Sequence, residues 1–212
     1  AYKGDDLDNN KNEGYSKTIA NFTNGTEVSG PFNIWATCYA GIGRANQVID
    51  KVPSITSMSE QERNGIVGEA KFLRGYFYFM LVNAFEHVPL VLKFEKDLTK
   101  LQVPQAKPEE VWAQIEKDLR DAELVLPSSY DDANVGRATK GAAKAFLGKV
   151  FLFREKWTLA ESKFKEIYGQ YSLNANYEDN FNGNSENGQE SIFFFFFSGD
   201  RTLSDELYPF NY

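Results

Sequence analysis

Apolar residues recur at steps of three and four along most of the chain, the spacing that places them on one face of an α-helix. The first such stripe runs from Asn33 to Pro53, where the helix must stop because proline has no amide hydrogen to donate. The next runs from Ser59 to about Phe85, and residues 72–85 within it are apolar nearly all round. The pattern therefore predicts two long helices, of which the second is central to the fold.

Three helix starts are marked by residues that either bond to a free backbone amide or, in the case of proline, have no amide hydrogen to satisfy. Ser59 and Glu62 have the spacing of a capping box, in which each side chain bonds to the amide of the other residue. Pro108 suits a first helical turn, and Thr139 offers a hydroxyl to the amides that follow it. These signals and the apolar stripes place the later helices at residues 108–126, 139–153 and 158–168.

The remaining segments are polar or irregular. Residues 1–32 are rich in Asn, Gly and Asp and predict an extended lead-in before a helical scaffold at residues 33–171. Residues 88–94 predict a short extended stretch. Residues 172–212 predict an irregular segment around one strand at residues 190–198.

Two later helices match part of the tetratricopeptide pattern. Residues 147–151 read Leu-Gly-Lys-Val-Phe and are followed by Ala160 and Phe164 at the spacing of that repeat. Small residues at such positions let two helices approach closely while aromatic side chains fill the groove. We predict a mainly α fold of tetratricopeptide-like helical hairpins, with irregular loops and little β structure.

Composition narrows the possible chemistry. The net charge of −7 disfavours binding to phosphates, so we expect no nucleic-acid partner. The single cysteine, Cys38, and the single histidine, His87, exclude an internal disulfide, a multi-thiolate zinc site and any site that needs two imidazoles. Oxygen-bearing side chains alternate from Asp6 to Asn12, but Lys11 stands where a calcium loop needs glycine. We expect no metal and no cofactor.

No combination of residues points to catalysis. Residues 41–43 read Gly-Ile-Gly but lack the third glycine of a dinucleotide loop, and Lys140 is followed by glycine, unlike the lysine of a phosphate-binding loop. His87 follows a predicted helix end and is best interpreted as a cap. We expect a protein that is not an enzyme, although its 30 carboxylates leave a glycosidase-like pair neither identified nor excluded.

Aromatic residues make up 15% of the chain, more than the predicted helices need for packing. Several fall in predicted loops, among them Phe22, Phe32, Tyr130, Tyr177, Tyr208 and Phe210. A flat ring can cover the apolar face of a sugar while amides and carboxylates bond to its hydroxyls, or the same rings can tuck against the helical core. We predict ligand contacts from Asn24, Phe32 and Asn33, in the polar loop before the first helix.

Several segments, taken in order, resemble the signatures of the SusD/RagB family. Residues 35–49 look like its first signature helix, and residues 68–79, which read GEAKFLRGYFYF, look like its second. Further matching segments follow in the family's order at residues 88–91, 115–127, 136–143, 156–157 and 187–193. The resemblance covers roughly residues 33–198 and is specific because the segments keep their order.

The resemblance implies a protein that is lipid-anchored on the outer face of the outer membrane in Bacteroidetes-type bacteria. Members of the family bind glycans, or peptides in some relatives, and form a lid over a SusC-like TonB-dependent transporter. The implied function is therefore capture of oligosaccharide and its delivery to that transporter, without catalysis.

Three features depart from the family. Family members are much longer, and their C-terminal part carries much of the ligand surface, so the resemblance implies that this chain is an N-terminal portion. The lipid-bearing cysteine is absent from this chain, and Cys38 in mid-helix cannot replace it. Five consecutive phenylalanines at residues 193–197 stand where the family has a mixed strand, and we have no physical account of that run.

Three alternative functions follow from the same residues. A tetratricopeptide-type adaptor would bind protein partners through a concave helical surface. A peptide-binding member of the SusD/RagB family would share the fold and differ in ligand. A glycoside hydrolase is the least favoured, since no pair of carboxylates is singled out.

Overall fold

The computed structural model describes residues 29–97, 102–181 and 188–194. Its described helices are α1 Ser29–Lys51, α2 Glu60–Phe85, α3 Pro108–Val125, α4 Lys140–Phe153 and α5 Trp157–Lys165, with 3₁₀ turns at Val52–Ser54, Asp132–Asn134 and Tyr177–Asn180. Strands β1 Val88–Pro89 and β2 Gln105–Ala106 pair antiparallel, with Val88 opposite Ala106. The prediction of a mainly α fold with little β structure is confirmed.

The predicted caps are present at the starts of α2 and α4. The Ser59 amide donates to Glu62 Oε2 over 2.8 Å, and the Glu62 amide donates to Ser59 Oγ over 3.2 Å, which completes the capping box. The bonds from Ser59 lower the pKa of the Glu62 carboxyl. At α4, the Ala142 amide donates to Thr139 Oγ1 over 3.1 Å.

The start of α1 differs from the prediction. The helix begins at Ser29 instead of Asn33, so Phe32 and Asn33 lie in its first turns and not in a preceding loop. Pro31 is compatible with this earlier start, because the first four amides of a helix have no partner within the helix. At the other end of the scaffold, α5 stops at Lys165, and Gly169 follows with a left-handed φ of 79°.

The strand predicted at residues 190–198 is not formed over residues 190–194, where the structure describes it. The Ser191 amide donates to the Gly188 carbonyl oxygen over 3.0 Å, which makes a turn. The Glu190 carboxylate accepts the Asn174 amide over 2.8 Å. These turn and side-chain bonds take the place of a strand ladder, and residues 195–198 lie outside the described residues.

The described residues divide into two compact units. The first unit takes residues 29–51, 73–97 and 102–115, and the second takes residues 52–72, 116–181 and 188–194. Residues of the predicted scaffold at 33–171 are therefore found in both units.

In the first unit, buried polar side chains hold the extended segment that follows β1. Asn46 is fully buried and donates through Nδ2 to the Val91 carbonyl oxygen over 2.9 Å. Arg74, which is 5% exposed, donates through Nη1 to Asn46 Oδ1 over 2.8 Å and to the Leu92 carbonyl oxygen over 3.2 Å. The Tyr78 hydroxyl donates to the Val91 carbonyl oxygen over 2.9 Å and accepts the Val91 amide over 2.7 Å. The segment's backbone is thus satisfied by side chains instead of a sheet.

Close helix approach in the first unit depends on small residues. A Cβ atom placed on Gly41 of α1 would lie 2.3 Å from Cε2 of Phe77 on α2, so only glycine fits there. Cys38 is buried nearby on α1, where it acts as a small apolar side chain, and burial raises the pKa of its thiol to about 11. A buried, protonated thiol is unreactive.

In the second unit, α4 and α5 form the predicted helical hairpin. A Cβ atom on Gly148 would lie 2.7 Å from Cε1 and 2.9 Å from Cζ of Phe164, so the glycine is the point of contact between the two helices. Phe151 on α4 and Ala160 on α5 are buried. This contact confirms the role assigned to the small residue of the tetratricopeptide pattern.

Two glycines in helices of the second unit give a matched test of this packing. Gly148→Ala should lower the free energy of unfolding by about 1–3 kcal/mol, because the new methyl overlaps the Phe164 ring. Gly65→Ala, with no atom within 4 Å of its new methyl, should raise the free energy of unfolding by about 0.5–1 kcal/mol through helix propensity. Urea denaturation measures both, and a stabilised Gly148→Ala protein would show that the hairpin contact is loose.

The buried network of the first unit gives a second prediction. Asn46→Ala should lower the free energy of unfolding by about 2 kcal/mol or more, because it leaves the buried Arg74 guanidinium and the Val91 carbonyl short of a partner. Gln47→Ala, exposed on the next position of α1, should change it by no more than about 0.5 kcal/mol. Equal effects of the two substitutions in thermal or urea unfolding would contradict the importance of the network.

Candidate ligand-binding site

The second unit has an open cleft of about 190 Å³. Its walls come from the loop between α3 and α4, which ends at the cap residue Thr139, from Tyr171 after α5, and from residues 191–194. Rings of Tyr130, Tyr171 and Phe193 line it together with the hydroxyls of Ser128 and Ser129. The cleft therefore combines aromatic faces with hydroxyl groups, and Arg137 also lines it.

One wall is supported by an ion pair. Arg137 Nη2 lies 2.7 Å from Glu69 Oε1 on α2, and Arg137 Nε donates to both carboxylate oxygens over 3.1 Å. The Tyr130 hydroxyl donates to the same Oε1 over 2.7 Å. The guanidinium also lies over the Tyr130 ring, with Cζ 5.0 Å from the ring centroid. The tyrosine ring is thereby held at its hydroxyl and at one face.

The surroundings of Tyr130 and Arg137 keep the protonation state of both side chains unchanged over the physiological range of pH. Burial, and next the bond to Glu69, raise the pKa of the Tyr130 phenol. The bond to Glu69 also raises the pKa of the Arg137 guanidinium. Tyr130 is therefore neutral and Arg137 charged at any physiological pH, which suits a binding wall and not a proton-transfer site.

The loop that delivers Arg137 is fixed by its own side chains. Asn134 Oδ1 accepts from Arg137 Nη1 over 3.0 Å, and Asn134 Nδ2 donates to Asp131 Oδ1 over 2.7 Å. Gly136 has a φ of 92°, a conformation that side chains with a Cβ rarely adopt. Glycine is thus required where the chain turns toward Glu69.

The opposite wall depends on close packing. A Cβ atom on Gly141 would lie 2.0 Å from the Tyr171 hydroxyl oxygen, so the tyrosine reaches α4 only because this residue is glycine. The Phe193 ring packs edge-on against buried Phe72, with centroids 5.0 Å apart and planes inclined by 75°. The first residue of the phenylalanine run therefore serves as packing for this wall.

The predicted ligand contacts lie elsewhere. Phe32 is 68% exposed and Asn33 is exposed, both in the first turns of α1 in the first unit. Successive helical residues point about 100° apart, so these two side chains do not share a face. Asn24 lies outside the described residues. Of the cleft residues, Tyr130 is among the aromatics that the sequence pattern places in a loop, whereas no local pattern singles out Tyr171 or Arg137 for a site.

Two negative findings concern the described residues. Within 29–97, 102–181 and 188–194, no three His, Cys, Asp or Glu side chains lie together as metal ligands. In the same ranges, no helix combines the length and the apolar character needed to span a bilayer.

Comparison with known proteins identifies the family. The model of the SusD-like family, described as starch-binding and associating with the outer membrane, matches residues 5–152. The chain belongs to the SusD-like family. Its curated relative SusD-like protein P25 of Formosa agariphila is 31% identical over 169 residues, which are 78% of this chain and 32% of the relative. The chain spans about a third of the length of the curated relatives it matches.

Solved structures of SusD-like proteins share the fold. A structure named as a laminarin-binding SusD-like protein is 34% identical, with a TM-score of 0.79 over 84% of this chain and 40% of that chain. A crystal structure described as being with xylogluco-oligosaccharide is 26% identical, with a TM-score of 0.74 over 84% of this chain and 38% of that chain. The SusD/RagB resemblance of the sequence is therefore confirmed.

The support of the Tyr130 wall can be measured with a double-mutant cycle. Glu69→Ala, Arg137→Ala and the double variant should give a coupling of about 1 kcal/mol, because the pair is multiply bonded and only partly exposed. The exposed pair Glu161 and Lys165 on α5 is the control and should give a much smaller coupling. Comparable couplings from the two cycles would contradict a supporting role for the Glu69–Arg137 pair.

Proposed function

We propose that this protein captures oligosaccharide at the cell surface and delivers it to a SusC-like TonB-dependent transporter of the outer membrane. Membership of the SusD-like family carries the proposal, since the family is described as starch-binding and associating with the outer membrane. Relatives whose names record laminarin and xylogluco-oligosaccharide support a glycan ligand for this chain. In this proposal a lipid anchor holds the protein at the outer face of that membrane, and no reaction is catalysed.

The cleft of the second unit supports binding of a neutral ligand. Its Tyr130 ring is held in one position, and the positive charge of Arg137 is paired with the carboxylate of Glu69. Sites for small molecules typically have volumes of about 300–1,000 Å³, so this cleft of about 190 Å³ is smaller than a typical site. Binding of an oligosaccharide therefore requires further surface.

Asn24, Phe32 and Asn33 remain the proposed contacts in the N-terminal region of the chain. The exposed ring of Phe32 supports this, because an apolar ring in water is available for stacking on a sugar. Its position on a helix gives it a rigid base.

A protein-binding adaptor is the alternative, and one observation favours it. Phe153 at the end of α4 and Trp157 at the start of α5 are both exposed, and large aromatic side chains are enriched in protein interfaces. Pull-down from membranes separates the two functions: the glycan-capture proposal expects a large outer-membrane transporter, whereas an adaptor would recover soluble partners alone.

Calorimetry of the purified protein against laminarin, xyloglucan and starch oligosaccharides tests the proposal. Binding to at least one of them is expected, and Phe32→Ala should weaken it without a change in thermal unfolding, because Phe32 is exposed. Leu124→Ala, at an exposed apolar residue of α3, is the matched control and should leave affinity unchanged. No binding to any glycan, together with binding to peptides, would contradict the carbohydrate part of the proposal.

A further inference from the structure

Two large aromatic side chains project into solvent from the segment that follows α5. Tyr177, the first residue of the 3₁₀ turn Tyr177–Asn180, is 77% exposed, and Phe181, which directly follows the turn, is 72% exposed. Their ring centroids are 5.1 Å apart and their planes are inclined by 58°. The two rings therefore contact each other, while most of the surface of both side chains is exposed to solvent.

Hydrogen bonds fix the turn that carries these rings. The Asn174 amide donates to Glu190 Oε2 over 2.8 Å, and Asn180 Nδ2 donates to the same oxygen over 3.1 Å. Asn174 Nδ2 donates to Asn180 Oδ1 over 2.6 Å. The bonds from Asn174 and Asn180 lower the pKa of the Glu190 carboxyl, so it is an ionised acceptor at neutral pH.

Three further hydrogen bonds, each with at least one backbone partner, hold the segment that carries the rings. The Phe181 amide donates to the Glu178 carbonyl oxygen over 3.0 Å, and Gln189 Nε2 donates to the Leu173 carbonyl oxygen over 2.9 Å. The Ser172 amide donates to the Gln189 carbonyl oxygen over 3.1 Å. Both ends of the segment are thus tied to residues 189–190, which gives the exposed rings a fixed base.

We propose that Tyr177 and Phe181, with a polar rim of Asn174, Asn180 and Glu190, form a saccharide-binding platform. A ring face covers the C–H side of a pyranose, and the amides and the carboxylate of the rim bond to its hydroxyls. The inference rests on the proposed function and extends it, because it supplies binding surface beyond the small cleft.

The charged residues of the segment that carries the platform indicate the class of ligand. Residues 172–194 contain no Lys or Arg, and Glu178, Asp179 and Glu190 lie within them. A segment that carries carboxylates and no basic side chain offers no cationic partner of its own to phosphates, nucleic acids or anionic lipids. Hydroxyl-rich neutral sugars fit this mixture of rings, amides and carboxylates, so the ligand is a neutral oligosaccharide.

The experiment compares two variants of the purified protein by calorimetry with laminarin, xyloglucan and starch oligosaccharides. Replacement of both platform rings, Tyr177→Ala with Phe181→Ala, should weaken glycan binding about tenfold. Tyr168→Ala removes a 91% exposed aromatic side chain from the same unit and should leave the affinity unchanged. Circular dichroism checks that both variants keep the wild-type melting temperature.

The outcomes separate the platform from the proposed function. Loss of affinity in the double variant but not in Tyr168→Ala supports the platform. Wild-type binding that the double variant retains in full overturns the platform and leaves the proposed function standing. Absence of wild-type binding to every glycan overturns both, and binding of a cationic peptide that the double variant alone loses overturns the assignment to sugars.

Discussion

The hydrogen bond from Arg74 to Asn46 is the interaction on which the first unit depends. A guanidinium that is 5% exposed is stable only with bonded donors, since an unpaired buried charge costs several kcal/mol. The same Asn46 side chain also donates to the Val91 carbonyl oxygen. One buried pair therefore joins α1, α2 and the extended segment after β1, and leaves that segment's backbone protected from competition with water.

In the second unit, too, hydrogen-bonded side chains hold an irregular segment in place, in this case at the surface. Glu69 on α2 bonds to Arg137 and Tyr130, and so positions the loop between α3 and α4, which carries the 3₁₀ turn Asp132–Asn134, beside the cleft. Glycines at positions 141 and 148 allow Tyr171 and Phe164 to approach α4 closely. The segments that resemble the SusD/RagB signatures supply Asn46, Glu69, Arg74 and Arg137. The resemblance therefore covers the residues that hold the fold together, whereas the two rings of the proposed platform, Tyr177 and Phe181, lie between matching segments and its rim residue Glu190 lies within one. Such an arrangement lets one frame present different surfaces to different ligands.

Much of the fold could be predicted because its signals are local. The capping box at Ser59 and the cap at Thr139 each involve residues three positions apart, and both are present as expected. The predictions failed where local signals compete. A proline at position 31 fits a helix start as well as a loop, and α1 begins at Ser29. The apolar run after Glu190 suggested a strand, but the Glu190 carboxylate is bonded to Asn174 and the backbone turns at Gly188.

The sequence by itself determined the helices, their caps, the helical hairpin of α4 and α5 and the family, because each depends on residue spacing along the chain. Only the tertiary structure decided the cleft, the supported Tyr130 ring and the exposed pair of Tyr177 and Phe181. Glu69 and Arg137 are 68 positions apart, and Asn174 and Glu190 are 16 apart, with no periodic pattern to relate them. Contacts of this kind depend on how the elements pack, since burial and hydrogen-bond partners are properties of the folded chain and not of any short segment.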